Sequence, residues 1–186
     1  MYGLLNAALK EFVVESYGTD AWQRIASESA PGIGEFNTLA SYPDELTYSM
    51  VGCACRVTGS SFEALMFSFG EFWVPFTDSQ GYGAMFEIAG ESLREFLMML
   101  DALHARVARG FPKLQPPSLR CDRIDERTLR MHYLTSRKNL CPMIPGILSG
   151  LSKRFKTPLE VTHDICARQG GPHCQFLLVF PQTERE

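Results

Sequence analysis

The hydrophobic pattern of this chain changes period once, and the change falls at a stiff connector. Up to about residue 110, apolar residues recur three or four apart, as in helices buried along one side. Residues 110–118 (Gly-Phe-Pro-Lys-Leu-Gln-Pro-Pro-Ser) then interrupt the pattern. Beyond them the apolar runs are short and bounded by turn residues, which marks strands. This order predicts an α+β fold, with a helical N-terminal lobe packed on a C-terminal lobe of four antiparallel strands and helices. At 186 residues the chain is long enough for one domain in two lobes, divided near residues 65 and 66, with 182–186 as a tail.

Helices are expected over 2–16, 44–58 and 62–74, the last opened by a capping pattern at Ser60 and Glu63. The run 28–42, with Pro31, Gly32 and Gly34, reads as a loop. The clearest helix spans about 90–109, where Leu93, Phe96, Leu97, Leu100, His104 and Val107 share one face and Gly110 and Pro112 form the stop. Strands are expected at 119–124 and 129–135, a helix at about 142–155, and a hairpin of 159–167 with 174–180 around Gln169-Gly170-Gly171-Pro172.

Residues 1–100 carry 4 Lys/Arg against 13 Asp/Glu, and the remainder 14 against 8, so a basic C-terminal half faces an acidic N-terminal one. The basic residues form no runs and accompany no nucleic-acid motif, so nucleic acid is not expected as a partner. No apolar stretch reaches the roughly 18 residues of a membrane span. The first residues lack a basic segment and a cleavage site, so a cytoplasmic location is expected, and the six cysteines then read as thiols, not disulfides.

Three groups carry potential chemistry. His104 lies on the apolar stripe of its helix, as a core histidine or a metal ligand. On a continuous strand, Tyr133, Thr135 and Arg137 share one face and line up a phenol, a hydroxyl and a guanidinium, a clamp for carboxylates. Arg130, His132, Leu134 and Ser136 then fall on the solvated face, and His132 receives no role. Cys141, His163, Cys166 and Cys174 offer three thiolates and an imidazole, an ordinary tetrahedral zinc set. His163 and Cys166 are an odd number apart, so a regular strand would part them, and a bulge or early turn is required. His173 competes as a ligand. Cys53, Cys55 and Cys121 read as core thiols.

Tyr-x-Thr-x-Arg after a helical histidine resembles the haem-binding signature of the H-NOX family, shared by bacterial gas sensors and soluble guanylate cyclase. Met1-Tyr2-Gly3-Leu4-Leu5-Asn6, Tyr42-Pro43-Asp44, Leu100-Asp101-Ala102-Leu103-His104 and Pro116-Pro117-Ser118-Leu119-Arg120-Cys121 are also similar to it. The resemblance implies haem b, with His104 as proximal iron ligand, Tyr133, Thr135 and Arg137 on the propionates, and Pro117 bending the porphyrin. Thr135 stands where the family usually has Ser; the hydroxyl survives.

In oxygen-binding members a distal tyrosine follows the arginine. No tyrosine follows Tyr133 here, and Met143, with Leu5, Leu9 and Val74, suggests an apolar distal wall beside Trp73-Val74-Pro75-Phe76; Asn139 is the one nearby donor. The resemblance therefore implies a nitric oxide sensor that excludes oxygen, is not itself an enzyme, and acts on a separate histidine kinase or diguanylate cyclase. Gas binding would weaken the His104–iron bond and shift the lobes. Cys141, His163, Cys166 and Cys174 match a zinc-containing subgroup, which leaves a thiol redox sensor as an alternative. A carboxylate-binding module without haem is a further one.

Overall fold

Capping chemistry and one bulge set the element boundaries of this protein. The computed structural model describes residues 1–88, 90–111 and 113–181, and of residues 85, 87 and 88 only the backbone. Pro112, expected to stop a helix, and the 182–186 tail lie outside the described residues. In chain order the elements are α1 Gly3–Tyr17, α2 Thr19–Ser29, α3 Asp44–Thr58, α4 Phe62–Thr77, α5 Gly83–Ile88, α6 Leu93–Gly110, β1 Ser118–Arg123, β2 Thr128–Leu134, α7 Met143–Arg154, β3 Glu160–Ile165 and β4 Cys174–Val179. Helices followed by an antiparallel sheet is the α+β arrangement that the change of period predicts.

The chain divides into two compact units, Met1–Phe69 and Gly70 onward. The first is built from α1, α2, α3 and the start of α4, around Leu9, Phe12, Ile25, Met50 and Phe69. α2 has no counterpart in the sequence expectation, because only Trp22 and Ile25 of its residues are buried and its apolar stripe is thin. The cap of α4 is Ser61, not Ser60: Ser61 Oγ accepts the Ala64 N–H at 3.2 Å. α4 also runs past Val74, with Pro75 inside it; Thr77 Oγ1 donates to the Trp73 and Val74 carbonyls, each at 2.9 Å.

In the second unit, Ser92 and Glu95 form a reciprocal capping box that starts α6 at Leu93. The sheet has the order β1-β2-β4-β3 and is antiparallel throughout. Its inner face presents Leu119, Cys121, Leu129, Met131, Tyr133, Phe176 and Leu178 to a core shared with Leu93, Phe96, Leu97 and Leu100 of α6 and with Leu148 and Leu151 of α7. Each large side chain buried there contributes about 1.5–3 kcal/mol.

Two departures bear on the site. β2 ends at Leu134, so Thr135 and Arg137 lie in the loop after it and do not continue the strand face of Tyr133. β3 carries a register shift between His163 and Ile165, the irregularity that the His163–Cys166 spacing required.

α4 and α7 approach at two glycines. A Cβ on Gly70 would stand 2.3 Å from the Met143 carbonyl oxygen, and one on Gly150 2.9 Å from Val74 Cγ2. The neighbour of Gly70 is backbone and cannot rotate away. Gly70→Ala is therefore expected to cost about 1–3 kcal/mol, read as a lowered urea midpoint with an unchanged slope; an unchanged midpoint would mean that the helices are free to part.

Candidate functional site

His104 sits on the inner stripe of α6, three residues after Asp101. The Asp101 carboxylate accepts the Leu119 N–H at 2.9 Å and so pins the first turn of sheet to the helix. The His104 Nδ1 lies 3.1 Å from the Pro117 carbonyl oxygen. A carbonyl only accepts, so Nδ1 carries the proton and Nε2 keeps its lone pair. No partner for Nε2 occurs among the described residues. Burial pushes the ring below the ordinary histidine range, opposed by the Pro117 hydrogen bond and the Asp101 charge. His104 is thus a neutral imidazole with one nitrogen fixed and the other available.

The connector that orients His104 also orients Arg137. Arg137 Nη1 donates to the Gln115 carbonyl at 2.6 Å, two residues before Pro117. Thr135 Oγ1 accepts the Arg137 N–H at 3.1 Å, which closes the loop after β2. Tyr133 is buried on the inner face of β2. The expected line of donors along one strand is corrected here: Tyr133 is placed by the sheet, Thr135 by a side-chain turn, and Arg137 by the connector. Gln115, Pro117 and Asp101 thus hold the group together. Pro117 is expected at the site from the resemblance; of the other two, the sequence offers a signal for Asp101 alone, its three-residue spacing from His104 on one helical face.

The residues expected to form an apolar wall are distributed over both units. Leu5 is half-buried and Leu9 fully buried on α1. Met143 opens α7 and is buried, as is Val74 on α4. Asn139 is exposed and has a left-handed backbone (φ 64°), a conformation asparagine tolerates better than most residues.

Across the β2–β4 ladder from Tyr133, which pairs with Cys174, Cys141, His163, Cys166 and Cys174 each offer a ligand atom within 4.8 Å of the others. Cys141 Sγ and Cys166 Sγ are 4.0 Å apart. Two sulfurs at about 2.3 Å from a tetrahedral ion stand about 3.8 Å apart, so this spacing suits one ion. His163 Nε2 is buried with no hydrogen-bond partner among the described residues. The ring stacks on Phe176 at 4.2 Å between centroids, and burial lowers its basicity. Burial, then the neighbouring Cys174 and Cys166, push the Cys141 thiol up to about 12. A dication among these sulfurs would reverse that mutual repulsion. The Ala167 N–H points to Cys174 Sγ at 3.3 Å. His173 stands apart from the group, with its Nε2 2.9 Å from His132 Nδ1. The other thiols are packed: Cys53 is buried and donates to Glu28, Cys121 is buried and pushed up to about 12 by burial, and Cys55 is half-buried.

Known proteins are similar to this chain in sequence and in fold. The "Haem-NO-binding" family model matches residues 2–163. Soluble guanylate cyclase 89Db of Drosophila melanogaster is 26% identical over 178 residues, covering 92% of this chain and 27% of the fly protein. Guanylate cyclase soluble subunit beta-2 of Rattus norvegicus is 34% identical over 123 residues, 63% of this chain and 18% of that protein. The chain thus spans about a quarter of the fly cyclase it matches. Among solved structures, an H-NOX protein from S. oneidensis in the Fe(II)NO ligation state superimposes with a TM-score of 0.88 at 19% identity, covering 98% of this chain and 100% of that one. With its model matched over most of the length, this chain belongs to the haem-NO-binding, or H-NOX, family.

Proposed function

We propose that the chain is a ferrous-haem nitric oxide sensor in which His104 Nε2 is the iron ligand. The observation that carries this reading is the state of the imidazole: neutral, half-buried, held at Nδ1 by Pro117 and unpartnered at Nε2. Haem, when bound, would supply an iron able to take a diatomic gas. Tyr133, Thr135 and Arg137 would hold the propionates, and Arg137 enters that role with its direction already fixed by Gln115. Pro117 would press on the porphyrin while its carbonyl orients His104. Through its Nδ1 hydrogen bond to Pro117, His104 would couple Nε2 to the connector.

Oxygen exclusion rests on the absence of a tyrosine after Tyr133 and on the apolar character of Met143, Leu5, Leu9 and Val74. Bound oxygen gains from a nearby donor far more than nitric oxide does. The output would be a separate signalling protein, a histidine kinase or a diguanylate cyclase, and the sensor itself would catalyse nothing.

A second reading has its own support in the cysteine cluster. Four ligand atoms within 4.8 Å and the orphaned His163 Nε2 fit a structural zinc ion held by Cys141, His163, Cys166 and Cys174. Oxidation of such thiolates would release the metal and loosen the end of the β3–β4 hairpin, a redox signal beside or instead of gas.

Absorption spectroscopy tests the main reading. The ferrous Soret band is expected to move on adding nitric oxide and to stay in place under oxygen; His104→Ala should lose the ferrous spectrum, and a variant that keeps it unchanged excludes His104 as ligand. Removing the Arg137 guanidinium forfeits charge-assisted bonds of about 1.5–3 kcal/mol, so Arg137→Ala should lose haem roughly 10- to 100-fold faster to apomyoglobin. Elemental analysis of the reduced protein should give about one zinc per chain, falling to none after peroxide or in Cys166→Ser; a metal-free reduced protein removes the second reading.

A further inference from the structure

The outward side of α6 takes no part in the core or in the group around His104. Leu93, Phe96, Leu97 and Leu100 are buried on the inner side of the helix. On the opposite side Met98 and Met99 stand 45% and 51% exposed, beside the exposed Ala102 and Ala105. A helix advances about 100° per residue, so Met98, Met99 and Ala105 all lie within about 60° of Ala102. Single exposed apolar residues are ordinary, but these four adjoin and make one continuous strip.

Charges of opposite sign close the strip at its two ends. Glu95 lies seven residues before Ala102 and Arg109 seven after it, both on the exposed side. Glu95 caps α6 through Oε2, which accepts the Glu91 and Ser92 N–H groups at 3.0 and 3.3 Å. Its Oε1 has no partner among the described residues, and neither Arg106 nor Arg109 has an ion pair among them. The strip is also uneven in size about its middle. Met98 and Met99 stand four and three residues before Ala102, where Ala105 and Arg106 stand three and four after it. Large apolar side chains on one half therefore answer a small residue and a cation on the other.

We infer that a second copy of this chain docks on this face, the two α6 helices running antiparallel about a two-fold axis at Ala102. In a two-fold pair each residue meets the one lying equally far beyond the axis, and every contact is made twice. Met98 then meets Ala105 of the second copy, Met99 lies on the stem of its Arg106, and Glu95 faces its Arg109. Ala102 meets its own copy, and so small a residue at the crossing lets the helix axes approach closely. Arginine stems cover apolar surface while their heads stay in water, which suits the rim of such a strip. A parallel pair would set methionine on methionine, arginine on arginine and glutamate on glutamate. One helix face is smaller than the roughly 800 Å² per partner of a standard interface, so the pair forms reversibly and at high concentration.

Sedimentation velocity over a concentration series, run on the haem-loaded protein, tests the pairing. The wild type should pass from monomer to dimer, less readily at high salt because its rim charges are exposed. Ala102→Glu and Ala102→Lys alter an exposed position and should leave the far-ultraviolet spectrum and haem content unchanged. Each variant alone sets like charges together on the axis and should dimerise at least about 10-fold more weakly. An equimolar mixture sets Glu against Lys and should associate about 10-fold more tightly than either variant by itself. Only a position that meets its own copy gives that pattern. Arg109→Glu, which turns the rim pair into a repulsion, should also weaken dimerisation and serves if an Ala102 variant fails to fold. A wild type that stays monomeric to roughly 1 mM overturns the proposal and leaves the face to a different protein. It is also overturned if the variants dimerise as the wild type does, or if the mixture associates no better than its components.

Discussion

The hydrogen bond between His104 Nδ1 and the Pro117 carbonyl is the constraint on which the rest of the site depends. It fixes which nitrogen is free, and it ties a helix to a connector that cannot easily yield. Prolines at 116 and 117 hold φ near the value their rings dictate and leave few conformations open to that segment. Gln115, two residues earlier, uses its own carbonyl to direct Arg137. One short stretch of backbone therefore orients two side chains from different elements, and Asp101 fastens its far end to α6 through Leu119. Any force at His104 Nε2 is delivered to that stretch first.

The sheet separates the remaining polar chemistry by face. Along β4, Cys174 points into the inner side with the thiol group, while the flanking His173 and Gln175 meet His132 on the outer side. The β3 bulge between His163 and Ile165 brings His163 and Cys166 to one place. Bulges cost a ladder bond and are retained where a side chain must be re-aimed. On the proposed readings the inner face of one small sheet gives His163 and Cys174 to the thiol group and Tyr133 to the haem group.

Much of this was legible in the sequence, and the failures have physical causes. The stripe from Leu93 to Val107 placed His104 on the buried side of α6 because helical spacing is regular over about four turns. The odd spacing of His163 and Cys166 demanded an irregular strand because strand side chains strictly alternate. Thr135 and Arg137 were misplaced on the strand face, since nothing in Leu134-Thr135-Ser136 marks the strand's end; the partners that hold the loop are backbone carbonyls, which every residue possesses. α2 was invisible because two buried residues make no pattern. The His132–His173 contact joins positions 41 apart and needed the β2–β4 register before it could be seen.

Direct observation of the bond at Nε2 tests the central claim most sharply. Resonance Raman spectra of the ferrous protein, with and without ¹⁵N-labelled histidine, should contain a low-frequency iron–histidine stretch that shifts with the label and disappears when nitric oxide is added. In His104→Gly supplied with free imidazole, the band should return without sensitivity to the label. A label-sensitive band that survives the loss of His104 would show that another histidine holds the iron and would contradict the account.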